Sequence, residues 1–390
     1  MLSKILEAVQ TSSAIRSVAR LLPTAPGSRV MPPTFADTGR ASGEKRSGHL
    51  FEDRVGPSGD AVKAVLLDSV GSSANRVEEA LLDAVREGTL TLPDLILEVP
   101  GYGELSTLEL PHRVFDAYLR EGLLDGEPFL ESDLGRRLGA ATPRAATAIF
   151  EYAPVSLLCG VWDSHGDKGG LGSRFARVLC AELVGLGVVE GRRSAQKTDP
   201  RVERPGEVPA FRPADDSTSF TLDPDRAKKD GKGNPVQVKL SELGFGAVPA
   251  GDQHGGVTLE HAEQHVVISL GQLRRLRFPD GDTDDEERNR AGRAVLATLG
   301  ILGIELQRDR GFSLRSGCEL SLETEPPWEI VGRTLDDVRV LDVGGSDGAR
   351  LLFEEAVEHA AETGLRFAKP LRLVARDELV ALVKKARGDS

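Results

Sequence analysis

The stretch GVWDSHGDKGGLGSRFAR (160–177) places five glycines among Lys168, Arg174, Arg177 and His165. Glycine weakens an element interior, so such a cluster marks where main chain comes close to something else. One partner with suitable chemistry is a phosphate, held by backbone amides and completed by guanidinium groups. The other reading is a long surface loop leading into a solvated helix. DSHGD (163–167) sets two carboxylates around a histidine, a combination suited to acid–base work. No nucleophile sits at a useful spacing, and no catalytic role is assigned to it.

Two further stretches invite chemistry and fail on spacing. HAEQH (261–265) has histidines at i and i+4, but Ala262 stands where the zinc-protease pattern needs glutamate. In a strand the two rings would only share a face, and no metal site is expected. VLDVGGSDGARLLFEEA (340–356) resembles the strand–turn–helix that holds S-adenosylmethionine in Rossmann-type methyltransferases. Only 42 residues follow Gly348, too few for a doubly wound sheet built from units of roughly 30 residues. A tight turn before a helix is the simpler reading, and a methyltransferase-like enzyme centred on 340–348 is the alternative function.

Composition bounds the rest. The 390 residues are 39% hydrophobic and 28% charged, as in an ordinary globular protein, with a formal net charge of −12. That charge repels nucleic acid on average, so any nucleic-acid role needs a local basic surface. Lys168–Lys197 supplies one candidate, with six basic residues against Glu182 and Glu190. Acids concentrate instead in DGDTDDEE (280–287). No run reaches the ~18 apolar residues of a membrane span, and AVLATLGILGIEL (294–306) reads as core. The N-terminal 23 residues imitate a transit peptide weakly and read better as a folded helix or strand. Cys159, Cys180 and Cys318 are odd in number and widely spaced, which suggests buried thiols in a reducing cytoplasm.

The elements that must position these residues are read from periodicity. VKAVLLDS (62–69) reads as a strand. The next stretch has helical spacing at Val77, Leu81, Leu82 and Val85, with Ser72 or Ser73 as cap and Gly88 as stop. DLILEV (94–99) is a second strand, and 104–152 reads as short helices. ARVLCAELVGLGVV fits strand or helix. Seven prolines then punctuate 199–256, an irregular excursion. Beyond it, strands alternate with helices, including one over 286–301. The mixture suggests an α+β fold.

Several blocks match one family in register. VSLLCGVWDSHGDKGGLGSRFARVLCAELVG (155–185) with RRSAQKTDP (192–200) after it, LLDSVGSSANRVEEALL (66–82) and LSELGFGAVPAGDQHGGVTLEHAEQHVVISLGQLRRLRFP (240–279) resemble a CRISPR-associated family. It is the Cas-seven-type, Csb-one-type backbone subunit of the type I-G (formerly I-U) Cascade complex. The resemblance implies a palm of RRM or ferredoxin type, a helical finger insertion and an extended thumb loop. On that plan, 1–93 begins the palm, 94–154 is the finger, 155–198 carries the glycine-rich loop, 199–256 is the thumb and 257–390 completes the palm.

The same resemblance implies a non-catalytic cytoplasmic scaffold without cofactor or metal. Its implied partners are CRISPR RNA, target DNA through the guide, further copies of itself, and the large and Cas-five/Cas-six-type subunits. A holder of variable guides must grip phosphates without reading base edges. By resemblance, Lys168, Gly169, Gly170, Gly172, Ser173, Arg174 and Arg177 become RNA contacts. So do Arg193 and Lys197, the latter standing where the family has arginine. Ser73, Asn75 and Arg76 suit phosphate contacts, although Arg76 has an i, i+3 partner in Glu79. Arg274 and Arg275, with Arg277, could line the groove or meet a neighbour's acids. His112 and Arg113 are lesser candidates in the finger. Phe245 and Val248 could wedge between nucleotides from the thumb tip.

Overall fold

The computed structural model describes residues 1–35, 48–56, 59–163, 174–193, 199–202, 207–216, 218–246 and 253–387, excepting the side chains of 192–193 and 253–254. The chain is mixed α+β, in two compact units. One comprises 1–35, 49–188 and 259–390, and the other 36–48 and 189–258.

In the larger unit, helix α1 (Leu2–Thr11) buries Leu2, Ile5, Ala8 and Val9, a single stripe at helical spacing. Strand β1 (Ala14–Pro23) comes next, so the N-terminus is folded as helix and then strand. After β2 (Phe51–Val55) and β3 (Ala61–Asp68) comes α2 (Val70–Arg86). Its cap is Ser69, whose Oγ accepts from the Ser72 amide, and neither Ser72 nor Ser73 takes that role. The strand runs through Asp68, so the turn comes earlier and Ser73 lies inside the helix, buried.

The segment expected to be a helical finger is only partly helical. It contains α3 (Ala117–Arg120), α4 (Asp133–Gly139) and α5 (Thr147–Tyr152), and ends at the first residue of α6 (Pro154–Cys159). It also contains β4 (Leu95–Val99), β5 (Gly103–Ser106), β6 (Gly122–Leu124) and β7 (Glu127–Pro128). The last strand of the chain (Leu371–Ala375) joins these as the centre of a five-stranded sheet. Helices this short cannot bury enough surface alone, and the partner that completes the layer lies far away in sequence.

Next come β8 (Val161–Trp162), β9 (Arg174–Phe175) and β10 (Leu179–Leu186), which settles the strand-or-helix ambiguity of that region. The smaller unit holds β11 (Val189–Arg193) and β12 (Gln253–Thr258), paired antiparallel. Between them Phe211 bridges Thr221 and Gln237, and Ala210, Val238 and Leu240 form a small core with Phe220 and Leu243.

Back in the larger unit, β13 (His261–Ser269) and α7 (Leu270–Leu273) lead to α8 (Glu286–Asp309). Then β14 (Phe312–Arg315), β15 (Cys318–Leu322), β16 (Trp328–Val331), β17 (Val338–Leu341), α9 (Gly345–Glu362), β18 (Leu371–Ala375) and α10 (Asp377–Arg387) complete the chain.

The principal sheet runs β14-β15-β1-β13-β10-β3-β2, with β16 also on β1 and β17 on β16, antiparallel throughout. Helix α8 is its hub, buried along nearly all of its length. A Cβ on Gly303 would come within 2.7 Å of Val77 in α2, and one on Gly300 within 3.0 Å of Ile268 in β13. Glycine there lets helix, helix and strand approach more closely than any side chain permits. AVLATLGILGIEL is therefore core, as its composition suggested.

The topology also disposes of the two motifs that failed on spacing. β17 pairs antiparallel with β16 and has no parallel neighbour among the described residues, where the Gly344–Gly345 turn lacks the βαβ setting of a nucleotide fold. The methyltransferase alternative has no support. His261 and His265 share one face of β13, both beside Glu263 at 3.2 and 3.0 Å. Among the described residues no cluster could hold a metal ion, and no helix is long and apolar enough to cross a membrane. Cys159 and Cys318 are buried, but Cys180 is exposed, because the alternation of β10 turns it outward.

Candidate nucleic-acid interface

Two short strands build the site. β8 leaves the end of α6 and pairs with β9, setting Val161 opposite Phe175 and Trp162 opposite Arg174. Val161 and Phe175 point inward and are buried, while Trp162 and Arg174 point outward. The Arg174 guanidinium lies 5.8 Å from the Trp162 ring centroid, within cation–π range.

Gly160 makes the close approach possible. Its φ is +79°, and a Cβ there would meet the Arg177 amide nitrogen at 2.9 Å. The Val178 amide donates to the Leu158 carbonyl, tying β10 to α6 just behind this point. Arg177 in turn donates from Nη1 to the Val70 carbonyl at 2.7 Å, linking the site to the start of α2.

The opposite wall comes from His112 and Arg113. Together these residues enclose an open cleft of about 360 Å³ with Cys159 at its base. Arg113 has φ +50°, a left-handed conformation costing a non-glycine residue about 1–2 kcal/mol. Its guanidinium holds it there, donating to both carboxylate oxygens of Glu78 and to the Gly160 carbonyl. Burial pushes the Glu78 carboxyl above its ordinary range, and Arg113 opposes that shift. Burial also raises the Cys159 thiol to about 12, so it stays protonated and unreactive.

The cations of the cleft are thus unequal. Arg113 is neutralised by Glu78 and serves the wall. Among the described residues no carboxylate forms an ion pair with Arg174 or Arg177, although the Arg177 charge acts on the Glu78 carboxyl from farther away. Arg174 is exposed and Arg177 half-buried. Two cations beside a half-exposed indole offer phosphate attraction and a stacking surface together.

Other expected contacts lie elsewhere or are differently engaged. Lys168, Gly169, Gly170, Gly172, Ser173, Lys197 and Val248 lie outside the described residues, as does the side chain of Arg193. Ser73 is buried, which removes its hydroxyl from any ligand, while Asn75 is exposed. Arg76 does not pair with Glu79. It lies 3.2 Å from Asp68 and donates to the Leu314 carbonyl, while Glu79 pairs with Arg310.

Arg274 donates to the Val9 and Ser12 carbonyls at the C-terminal end of α1, satisfying acceptors the helix leaves open. Arg277 pairs with Asp284 at 2.6 Å in its own acidic loop, and Arg275 is exposed. Phe245 is 37% exposed and packs edge-on to Phe220, centroids 5.4 Å apart, so the expected wedge is half engaged in its own unit. Sequence reasoning did not single out Trp162. Its signal was a large aromatic inside a glycine-rich, basic segment.

Residues 15–190, which contain the whole cleft, match the family model described as CRISPR-associated protein GSU0053. That segment is similar to a family of Cas-seven type. No curated protein matches the chain. The CRISPR-associated segment includes two of the blocks that carry the resemblance, 66–82 and 155–185, and ends before 192–200 and 240–279.

Proposed function

We propose that the protein is a non-catalytic backbone subunit of a type I-G Cascade complex. It polymerises along CRISPR RNA, grips the phosphates and presents guide bases to target DNA. The observation that carries this reading is the cleft inside the CRISPR-associated segment, where Arg174 and Arg177 stand without carboxylate partners among the described residues. A backbone grip that reads no base edge suits a guide of any sequence.

The principal antiparallel sheet with α1, α2 and α8 would serve as an RRM-like palm. The 94–154 segment would be the finger and 199–256 the thumb, with Phe245 near its tip. Its partners would be further copies of itself and the large and Cas-five/Cas-six-type subunits, in the cytoplasm. The acidic remainder of the chain would limit nonspecific binding to other nucleic acid.

The test is coexpression of the tagged chain with its neighbouring genes and a CRISPR array, then sequencing of the RNA that copurifies. One guide-sized species is expected, lowered by about 10-fold or more when Arg174→Ala and Arg177→Ala are combined, since each removes a phosphate contact. Absence of RNA with the partners present would overturn the reading.

A further inference from the structure

We infer that Trp162 is a stacking platform for an unpaired RNA base, with Arg174 and Arg177 holding the flanking phosphates. The inference rests on the RNA-binding reading above and names the contact that the cleft adds to it.

Four observations converge on the indole. It is 50% exposed although it sits in a hydrogen-bonded strand pair beside buried Val161 and Phe175. Tryptophan is enriched at interfaces, where part of the ring is buried and the rest meets a partner. The ladder sets Arg174 directly opposite, and its guanidinium lies over the indole ring 5.8 Å from the centroid, so cation and aromatic surface adjoin. The hairpin is braced from behind by the Gly160 carbonyl accepting from Arg113 and by Arg177 donating to Val70. A braced platform loses little side-chain freedom when a base lands on it. The open cleft of about 360 Å³ beside it accommodates a nucleotide.

Stacking also suits a guide of variable sequence. Every base has a π-face, so a platform accepts all four while phosphate contacts set the register. Trp162 would therefore add affinity without sequence preference.

The protein carries a convenient reporter. It has two tryptophans, and the other, Trp328, is 3% exposed and donates to Glu305 in the core. Titration of the full-length chain with single-stranded 12-mers of uridine or adenosine, and with an abasic ribose-phosphate 12-mer, reads Trp162 fluorescence and affinity together. Both base-bearing 12-mers are expected to quench fluorescence, and the abasic one to bind about 10-fold more weakly without quenching. Trp162→Ala should weaken the base-bearing oligomers by a similar factor and leave the abasic one unchanged. Trp162→Phe should restore most of the affinity.

RNA bound by the wild-type chain without quenching, and with Trp162→Ala equal to it, would overturn the platform while leaving the RNA reading intact. Loss of subunit assembly in Trp162→Ala at unchanged RNA affinity would overturn it in favour of a protein contact. No binding of any oligomer would sink both readings. Near-ultraviolet circular dichroism of each variant separates these results from misfolding.

Discussion

Two arginine-bearing segments, RFAR (174–177) and RRLR (274–277), look alike as strings, each mixing cations with apolar residues. Their environments differ. In the first, Arg174 lies over an exposed indole and Arg177 reaches a lone carbonyl, with no carboxylate among the described residues paired to either. In the second, Arg274 closes the end of α1 and Arg277 is held by Asp284. An arginine is available to a phosphate only while the fold leaves some of its five donors without acceptors. Charge density along the sequence does not report this.

The largest effect that could break the comparison concerns Arg113, the cation that looks like part of the cleft but is closed by Glu78. Glu78→Ala would leave a buried guanidinium uncompensated and should cost about 3–5 kcal/mol in urea denaturation. A loss under ~1 kcal/mol would mean that Arg113 is free, and it would then join Arg174 and Arg177 as a phosphate contact.

A smaller effect sharpens the contrast. Arg274→Ala removes a charged donor from two carbonyls and should destabilise the chain by about 2 kcal/mol while RNA affinity stays unchanged. Arg174→Ala with Arg177→Ala should lose RNA affinity instead. Stability should fall by only about 1 kcal/mol, for the single Arg177–Val70 bond, and the salt dependence of RNA binding should flatten by about 0.7 in log–log slope for each phosphate neutralised by the replaced side chains. Equal RNA losses from both sets would erase the difference between the two segments.

The smallest effect concerns Asp284, whose carboxyl is held below its ordinary value first by the Asn289 amide and then by the Arg277 charge. Because the folded value is lowered, the stability it supplies is complete above the unfolded value of 3.8. That stability is lost as pH falls through the folded one. In Arg277→Ala the Asp284 titration, tracked by NMR, should move upward yet remain below ordinary because Asn289 still donates. No movement at all would show that Arg277 is not engaged there in solution, and it would become available to RNA.

Much of the fold was legible locally. Strand β3, the helix α2 behind it, strand β4 and the uniformly apolar stretch of α8 each reflect short-range period and burial, whereas α1 and β10 were open between strand and helix. The Gly344–Gly345 turn before a helix was legible too, from its adjacent glycines, both with positive φ. The five-stranded sheet was not. Leu371–Ala375 lies parallel to Leu95–Val99 across most of the chain, and neither short apolar run says what it pairs with.

The candidate site was half legible. Glycines and arginines in one segment pointed to a close approach with charge, and Arg174 and Arg177 do meet at the cleft. The attractive candidates Ser73, Arg76, Arg113 and Arg274 are otherwise engaged, and Trp162 emerged only when a strand pair placed it across from Arg174.

By itself the sequence determined what is set by composition and short-range pattern. That includes an α+β chain, an acidic balance that would confine any nucleic-acid binding to a local patch, and a glycine-rich basic segment similar to a CRISPR-associated family. Only the tertiary structure decided which cations remain available. A guanidinium is satisfied by whatever carboxylate or carbonyl folding brings within about 3 Å, and such partners, as with Glu78 for Arg113 and Ser12 for Arg274, come from distant parts of the chain.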